Sequence, residues 1–214
     1  MRLGLRLLAV AFMLSVISCT IMAQELPFPD TSASKGSRIS VAVTAGYVSP
    51  RSKDGLTQFW KGGPGFAVSL LLRAAPGFWV GTGLDVSALW FKQSSFALAY
   101  PNVEMQKVNM AWTNLFLLAR YGFLPGASVH PYAEVDLGAS RLSGAEYKEV
   151  IDSVRVTYYE IPARTRLALT LTAGVDIPVS GGLSFLAEGF MRYVHHDENI
   201  GIGLGVRGGV RVIL

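Results

Sequence analysis

The chain has 214 residues, half of them hydrophobic and only 16% charged, with 23 glycines and a formal charge of +4. That length fits one domain. After the N-terminus no run approaches the roughly 18 to 20 apolar residues of a membrane-spanning helix. Arg2 and Arg6 lie in a segment expected to be removed, which leaves the remainder near +2 and gives no basis for nucleic-acid binding.

That first segment, residues 1–23, reads as an export signal. Arg2 and Arg6 make a basic start, Leu7 to Ile17 is apolar, and a short polar stretch leads to Ala23. Cleavage after Ala23 by signal peptidase I leaves no cysteine and no disulfide. The rival is lipoprotein processing at Val16-Ile17-Ser18-Cys19, with lipid on Cys19. Residues 24–37 are rich in Pro, Ser and Thr without periodicity, and read as an N-terminal periplasmic tether.

From residue 38 to 214, segments of two-residue alternation recur, near 38–48, 65–73, 78–91, 108–121, 131–142, 166–177, 183–193 and 200–214. The clearest places Leu167, Leu169, Leu171, Ala173, Val175 and Ile177 on one face. In the last, Ile200, Ile202, Leu204, Val206, Val210, Val212 and Leu214 oppose Gly201, Gly203, Gly205, Arg207, Gly209 and Arg211. Connections at 74–77, 122–129 and 178–182 are short and rich in Gly and Pro. Those at 49–64, 92–107 and 143–163 are longer and more polar, with a shorter one near 194–199. Short turns on one side and long loops on the other predict an all-β, eight-stranded antiparallel up-and-down transmembrane β-barrel.

Alternation also fits a soluble lipocalin-like binder with its apolar face inward. Three features favour the membrane. Lys35, Lys53, Lys61, Lys92 and Lys148 fall in loops or the tether, and Lys107 at a strand's loop end. The strand cations on the polar face are instead arginines: Arg73, Arg120, Arg166, Arg192, Arg207 and Arg211. With Asp85, Glu134, Asp136, Asp176 and Glu188 they make a nearly neutral charge set, as a sealed lumen requires. Aromatics gather in two belts. Phe78, Trp79, Tyr121, Phe123 and Tyr132 lie beside the short turns, with Trp79 also able to point inward; Tyr47, Phe66, Trp90, Trp112 and Tyr193 lie beside the long loops. Finally, the last strand must pair with the first to abolish the edge.

The C-terminal run Arg207-Gly208-Gly209-Val210-Arg211-Val212-Ile213-Leu214 resembles the signal read by the outer-membrane barrel assembly machinery, on Arg207, Gly209, Val212 and Leu214. Leu214 stands where an aromatic is usual. The stretches 115–123 and 131–138 are similar to a strand-turn-strand unit of outer-membrane β-barrel domain proteins, the porin-type group that includes the OmpA transmembrane domain, OmpX and small barrels of Bacteroidota. The resemblance implies a Gram-negative outer-membrane location, contact with lipopolysaccharide and other outer-membrane lipids, and a monomer. It fixes architecture, not activity.

Candidate chemistry is sparse. The charge set could gate a narrow ion path, but filling the lumen with paired charge is the preferred reading, because eight strands leave room only for side chains. His195-His196-Asp197-Glu198 offers metal-ligand types on one short loop, yet adjacent residues of an extended chain diverge, and a polar hairpin tip is preferred. Residues 203–208 fit G-x-G-x-x-G without the helix a dinucleotide site needs. Those glycines are expected to admit side chains from other strands. An enzyme acting on lipid A would need a Ser–His pair from Ser94, Ser95, Ser143 or Ser153 with His195 or His196; His130 lies beside a short turn, on the wrong side. Arg51, Lys53, Phe59, Trp60 and Lys61 in loop one, with Tyr147, Tyr158 and Tyr159 in loop three, suit a binding surface. The expectation is a non-enzymatic barrel with a structural or surface-interaction role through its outer loops, without cofactor or metal. A lipid A-modifying enzyme of the same architecture is the runner-up.

Overall fold

A computed structural model describes residues 39–51, 59–101, 103–107, 109–123, 128–151, 155–161, 163–180, 182–196 and 199–214. The expected signal segment, the tether, Cys19, Lys35, Lys53, Ser153, Asp197 and Glu198 lie outside them. In chain order the elements are β1 (Ile39–Pro50), β2 (Trp60–Lys61), β3 (Gly63–Ala75), β4 (Phe78–Phe91), α1 (Gln93–Ala99), β5 (Val103–Lys107) and β6 (Met110–Gly122). There follow β7 (His130–Leu142), β8 (Ala145–Ile151), β9 (Arg155–Ile161), β10 (Arg164–Ser180), β11 (Leu183–His196) and β12 (Asn199–Ile213).

Each long strand pairs antiparallel with its neighbour in the order β4-β3-β1-β12-β11-β10-β7-β6, and β6 returns to β4. The eight strands therefore close, with β12 laddered on β1 from Ser40 opposite Ile213 to Pro50 opposite Gly203. Closure satisfies every wall strand on both sides, which a lipid environment demands. At the short-turn end, Gly77 and Gly182 adopt positive φ (74° and 88°), the conformation that lets the chain reverse within a few residues.

The question of which face meets lipid is settled by exposure. Leu167, Leu169 and Leu171 are 62%, 37% and 40% exposed, pointing away from the axis, while Ala168, Thr170 and Thr172 between them are buried. Val135, Leu137, Leu117, Leu84, Val206 and Val210 continue the outward aliphatic band. Water does not tolerate so continuous an apolar wall. A soluble barrel with an apolar interior is excluded, and the chain is a membrane barrel whose short turns face the periplasm.

The belts are partly as expected. Tyr47, Phe66 and Trp90 are exposed on the loop side, and Tyr121 and Phe123 on the turn side. Trp112 and Tyr132 correct the expectation: both are buried in the lumen, and Trp79 joins them against the inner cluster. The polar face is also more apolar than its sequence suggests. Val48, Leu89, Met110, Trp112, Phe190 and Val194, with Phe59 and Trp60 from loop one, pack at the loop end. Ala42, Leu71, Phe116, Leu118, Tyr132 and Leu186 pack toward the short turns. Within residues 203–208, Gly203 and Gly205 face crowded neighbours as expected, whereas the nearest atom to a Cβ on Gly208 would be 3.7 Å away. A Cβ on Gly205 would stand 2.2 Å from the Phe190 ring, and one on Gly203 3.0 Å from the Trp112 ring.

The outer loops hold more structure than their polarity predicts. Residues 92–107 contain α1 and β5, and 143–163 contain β8 and β9. These strands form a second sheet in the order β5-β8-β9. Its strands are joined directly to β6, β7 and β10, which have that same order in the wall.

Candidate functional site

Among the described residues, the strands gather their reactive side chains in the lumen. Asp85, projecting from the middle of β4, is 1% exposed and sits at the hub. Its carboxylate meets Arg192 Nη2 at 3.2 Å and Arg207 Nη1 at 3.0 Å. Asn114 Nδ2 donates to it at 2.8 Å, and Ser87 Oγ at 3.4 Å. Arg207 bridges onward, its Nε 2.6 Å from Glu188. The register explains this, because Glu188 and Arg207 are directly opposite on β11 and β12. Tyr132 donates its hydroxyl to the other Glu188 oxygen.

Two further pairs lie toward the short turns. Arg120 Nε donates to Glu134 at 2.7 Å, from positions opposed on β6 and β7. Arg211 pairs with Asp176. Burying these ions is tolerable only because each has a counter-ion or polar partner close by.

Aromatic rings complete the shell. Arg192 lies 5.3 Å from both the Trp112 and Phe190 ring centres, and Arg207 4.4 Å from Phe190. Arg120 stacks 4.2 Å from Tyr132, and Arg211 lies 5.5 Å from Trp79. A guanidinium is weakly hydrated and flat, so a ring face stabilises it where water is scarce. This is the physical reason why Trp79, Trp112 and Tyr132 point inward and leave the belts.

Of the eleven charged residues expected here, nine are buried: Asp85, Arg120, Glu134, Asp136, Asp176, Glu188, Arg192, Arg207 and Arg211. Asp136 shares a face with Glu134 but makes no ion pair among the described residues. Arg166 is half-buried near the loop end, and Arg73 is exposed at the short-turn mouth, outside the sealed network. Sequence reasoning missed Asn114 and the stacking rings of Trp112, Tyr132 and Phe190, and allowed an inward direction only for Trp79. The signal available was parity, since Tyr132 alternates in step with Glu134 and Asn114 with Arg120. In the C-terminal run, Arg207 belongs to the network, while Val212 and Leu214 are exposed on the outer surface.

The arrangement offers little for catalysis. Ser143 Oγ accepts the Ala111 amide at 2.8 Å and so fastens a loop to β6. Ser94 and Ser95 lie on α1, His195 is exposed at the tip of β11, and His130 lines the short-turn mouth. Among the described residues no serine hydroxyl is hydrogen-bonded to a histidine, and no three metal-ligand side chains converge. The His195 and His196 positions ladder onto Ile200 and Asn199 as an ordinary hairpin.

A closed eight-stranded barrel, apolar outside and ionically paired inside, defines the small outer-membrane β-barrel class. Solved structures agree on that fold. Neisserial surface protein A superposes with a TM-score of 0.53 at 16% identity, covering 85% of this chain and all of that one. OprG from Pseudomonas aeruginosa gives 0.52 at 11% identity, covering 86% and 98%, and a major outer membrane protein from Thermus thermophilus 0.52 at 15%, covering 81% and 98%. No protein-family profile matches the sequence, and no curated protein matches it.

Proposed function

We propose that the chain is a non-enzymatic, monomeric outer-membrane barrel that acts as a surface-interaction protein through its outer loops. The carrying observation is the second sheet. Three adjacent wall strands, β6, β7 and β10, continue past the loop-side aromatic belt as β5, β8 and β9. Seven-residue strands at about 3.3 Å per residue reach roughly 20 Å outward. Such a blade offers a strand backbone to partners clear of the lipid headgroups, and a chain serving only as a membrane plug has no use for it. On β2 and β4, at the loop end of the wall, Lys61 lies 5.8 Å from the Trp90 ring, a basic and aromatic pair suited to lipopolysaccharide phosphates. The outward Val212 and Leu214 support recognition of the last strand by the assembly machinery.

The test replaces residues 145–161 with a short Gly-Ser turn. The shortened barrel should keep its heat-dependent electrophoretic shift. Cells bearing the full chain should adhere above vector controls to surfaces coated with purified serum and matrix glycoproteins, and cells bearing the shortened chain should not. In parallel, lipopolysaccharide incubated with the refolded protein should keep its lipid A mass. Equal adhesion by both chains, or a deacylated or acylated product, overturns the proposal.

A further inference from the structure

The periplasmic mouth of the lumen holds a cavity of about 220 Å³, lined among others by Arg73, Trp79, Arg120, His130, Asp176 and Arg211. Water occupies about 30 Å³ per molecule in the liquid, so the cavity takes a small ion and several waters. Its lining is unbalanced in charge. Asp176 answers Arg211, and Glu134 answers Arg120. Nothing among the described residues answers Arg73, which stands exposed at the rim with the His130 imidazole also on the wall.

The two buried guanidiniums line the cavity as well: Arg120 donates Nε to Glu134 and Arg211 holds Asp176 through Nη2, so Arg73 is the lining cation without a counter-ion among the described residues. Guanidinium groups converging on a partly enclosed space are the donor set that oxyanions select, through paired N–H bonds of fixed geometry. The low-dielectric wall around them strengthens the attraction over that of an exposed arginine.

We propose that this vestibule is a binding site for a small oxyanion, a carboxylate or a phosphate group, on the periplasmic side. Arg73 is the entry residue and carries the uncompensated charge, the paired Arg120 and Arg211 guanidiniums line the floor, and Trp79 beside Arg211 is a built-in reporter.

The experiment uses the full chain refolded in detergent micelles and follows tryptophan fluorescence. Inorganic phosphate or an N-acetylated Glu–Asp peptide is titrated against sodium chloride of equal ionic strength. A saturable change with either probe, absent with chloride, is expected, and the probe that saturates at lower concentration separates a phosphate ligand from a carboxylate one. Arg73→Gln, on an exposed side chain, should fold normally by the electrophoretic shift and weaken the apparent affinity about fivefold or more, the scale of one charge-assisted contact. Trp79→Phe should abolish the signal. The proposal is overturned if neither probe saturates, if Arg73→Gln titrates like the unsubstituted chain, or if the signal survives Trp79→Phe.

Discussion

Asp85→Asn removes the charge at the centre of the lumen while preserving shape. Arg207 keeps Glu188 at 2.6 Å, so its loss is partial. Arg192 fares worse. Its remaining direct contacts are a 3.4 Å hydrogen bond to Thr170 Oγ1 and two ring faces, with the Asp136 carboxylate acting on it only from beyond ion-pair distance. Removing one partner of a buried ion pair costs about 3–5 kcal/mol, because the survivor is left desolvated and uncompensated. Asp85→Asn should fall in that range. Arg192→Gln is expected to cost less, since Asp85 retains Arg207 at 3.0 Å and Asn114 at 2.8 Å. The double variant replaces an ion pair with two amides, so its cost should fall short of the sum of the single costs by at least about 1.5 kcal/mol, within the usual coupling of contacting residues. Urea unfolding in phospholipid vesicles, followed by tryptophan fluorescence, measures all four corners of the cycle. Strict additivity, or a cost for Asp85→Asn below about 1 kcal/mol, would show that water already compensates these charges and that the network is not sealed.

The orientation of the wall yields a second expectation. Leu171→Arg, near the middle of β10 on its outer face, should destabilise the barrel in vesicles by about 2–4 kcal/mol, as a cation does at the bilayer midplane; unchanged stability there would contradict a lipid-facing Leu171. A third compares two glycines of β12. Gly205→Ala drives a methyl into the Phe190 ring and should cost about 1–3 kcal/mol, whereas at Gly208 the nearest atom to a new Cβ is 3.7 Å away and the change should be nearly neutral. The temperature at which the unheated gel band disappears ranks the two, and equal values would refute the inward packing of Gly205.

Strand positions were legible because alternation is a local property: side chains of one strand divide between two faces whatever its neighbours do. Turn lengths then set which ends are periplasmic, and the arginine-for-lysine substitution along the polar face marked which side was sealed. The alternation was clearest over residues 166–177, and their exposed leucines match it. The pairing within the lumen was legible only where it is local too, as for Glu188 and Arg207, which one hairpin places face to face.

Closure decided the rest. Asp85 and Arg207 lie 122 residues apart, and their contact depends on the stagger by which eight strands meet around the axis. Parity alone made an inward direction available to Trp112, in step with Asn114, and to Tyr132, in step with Glu134; that Trp112 meets Arg192 from β11 is decided by closure of the wall. The blade was hidden for the same reason. Polar segments such as 145–151 show no apolar face of their own, and they become strands because the wall below delivers them side by side, in register, with the backbone partners a strand requires.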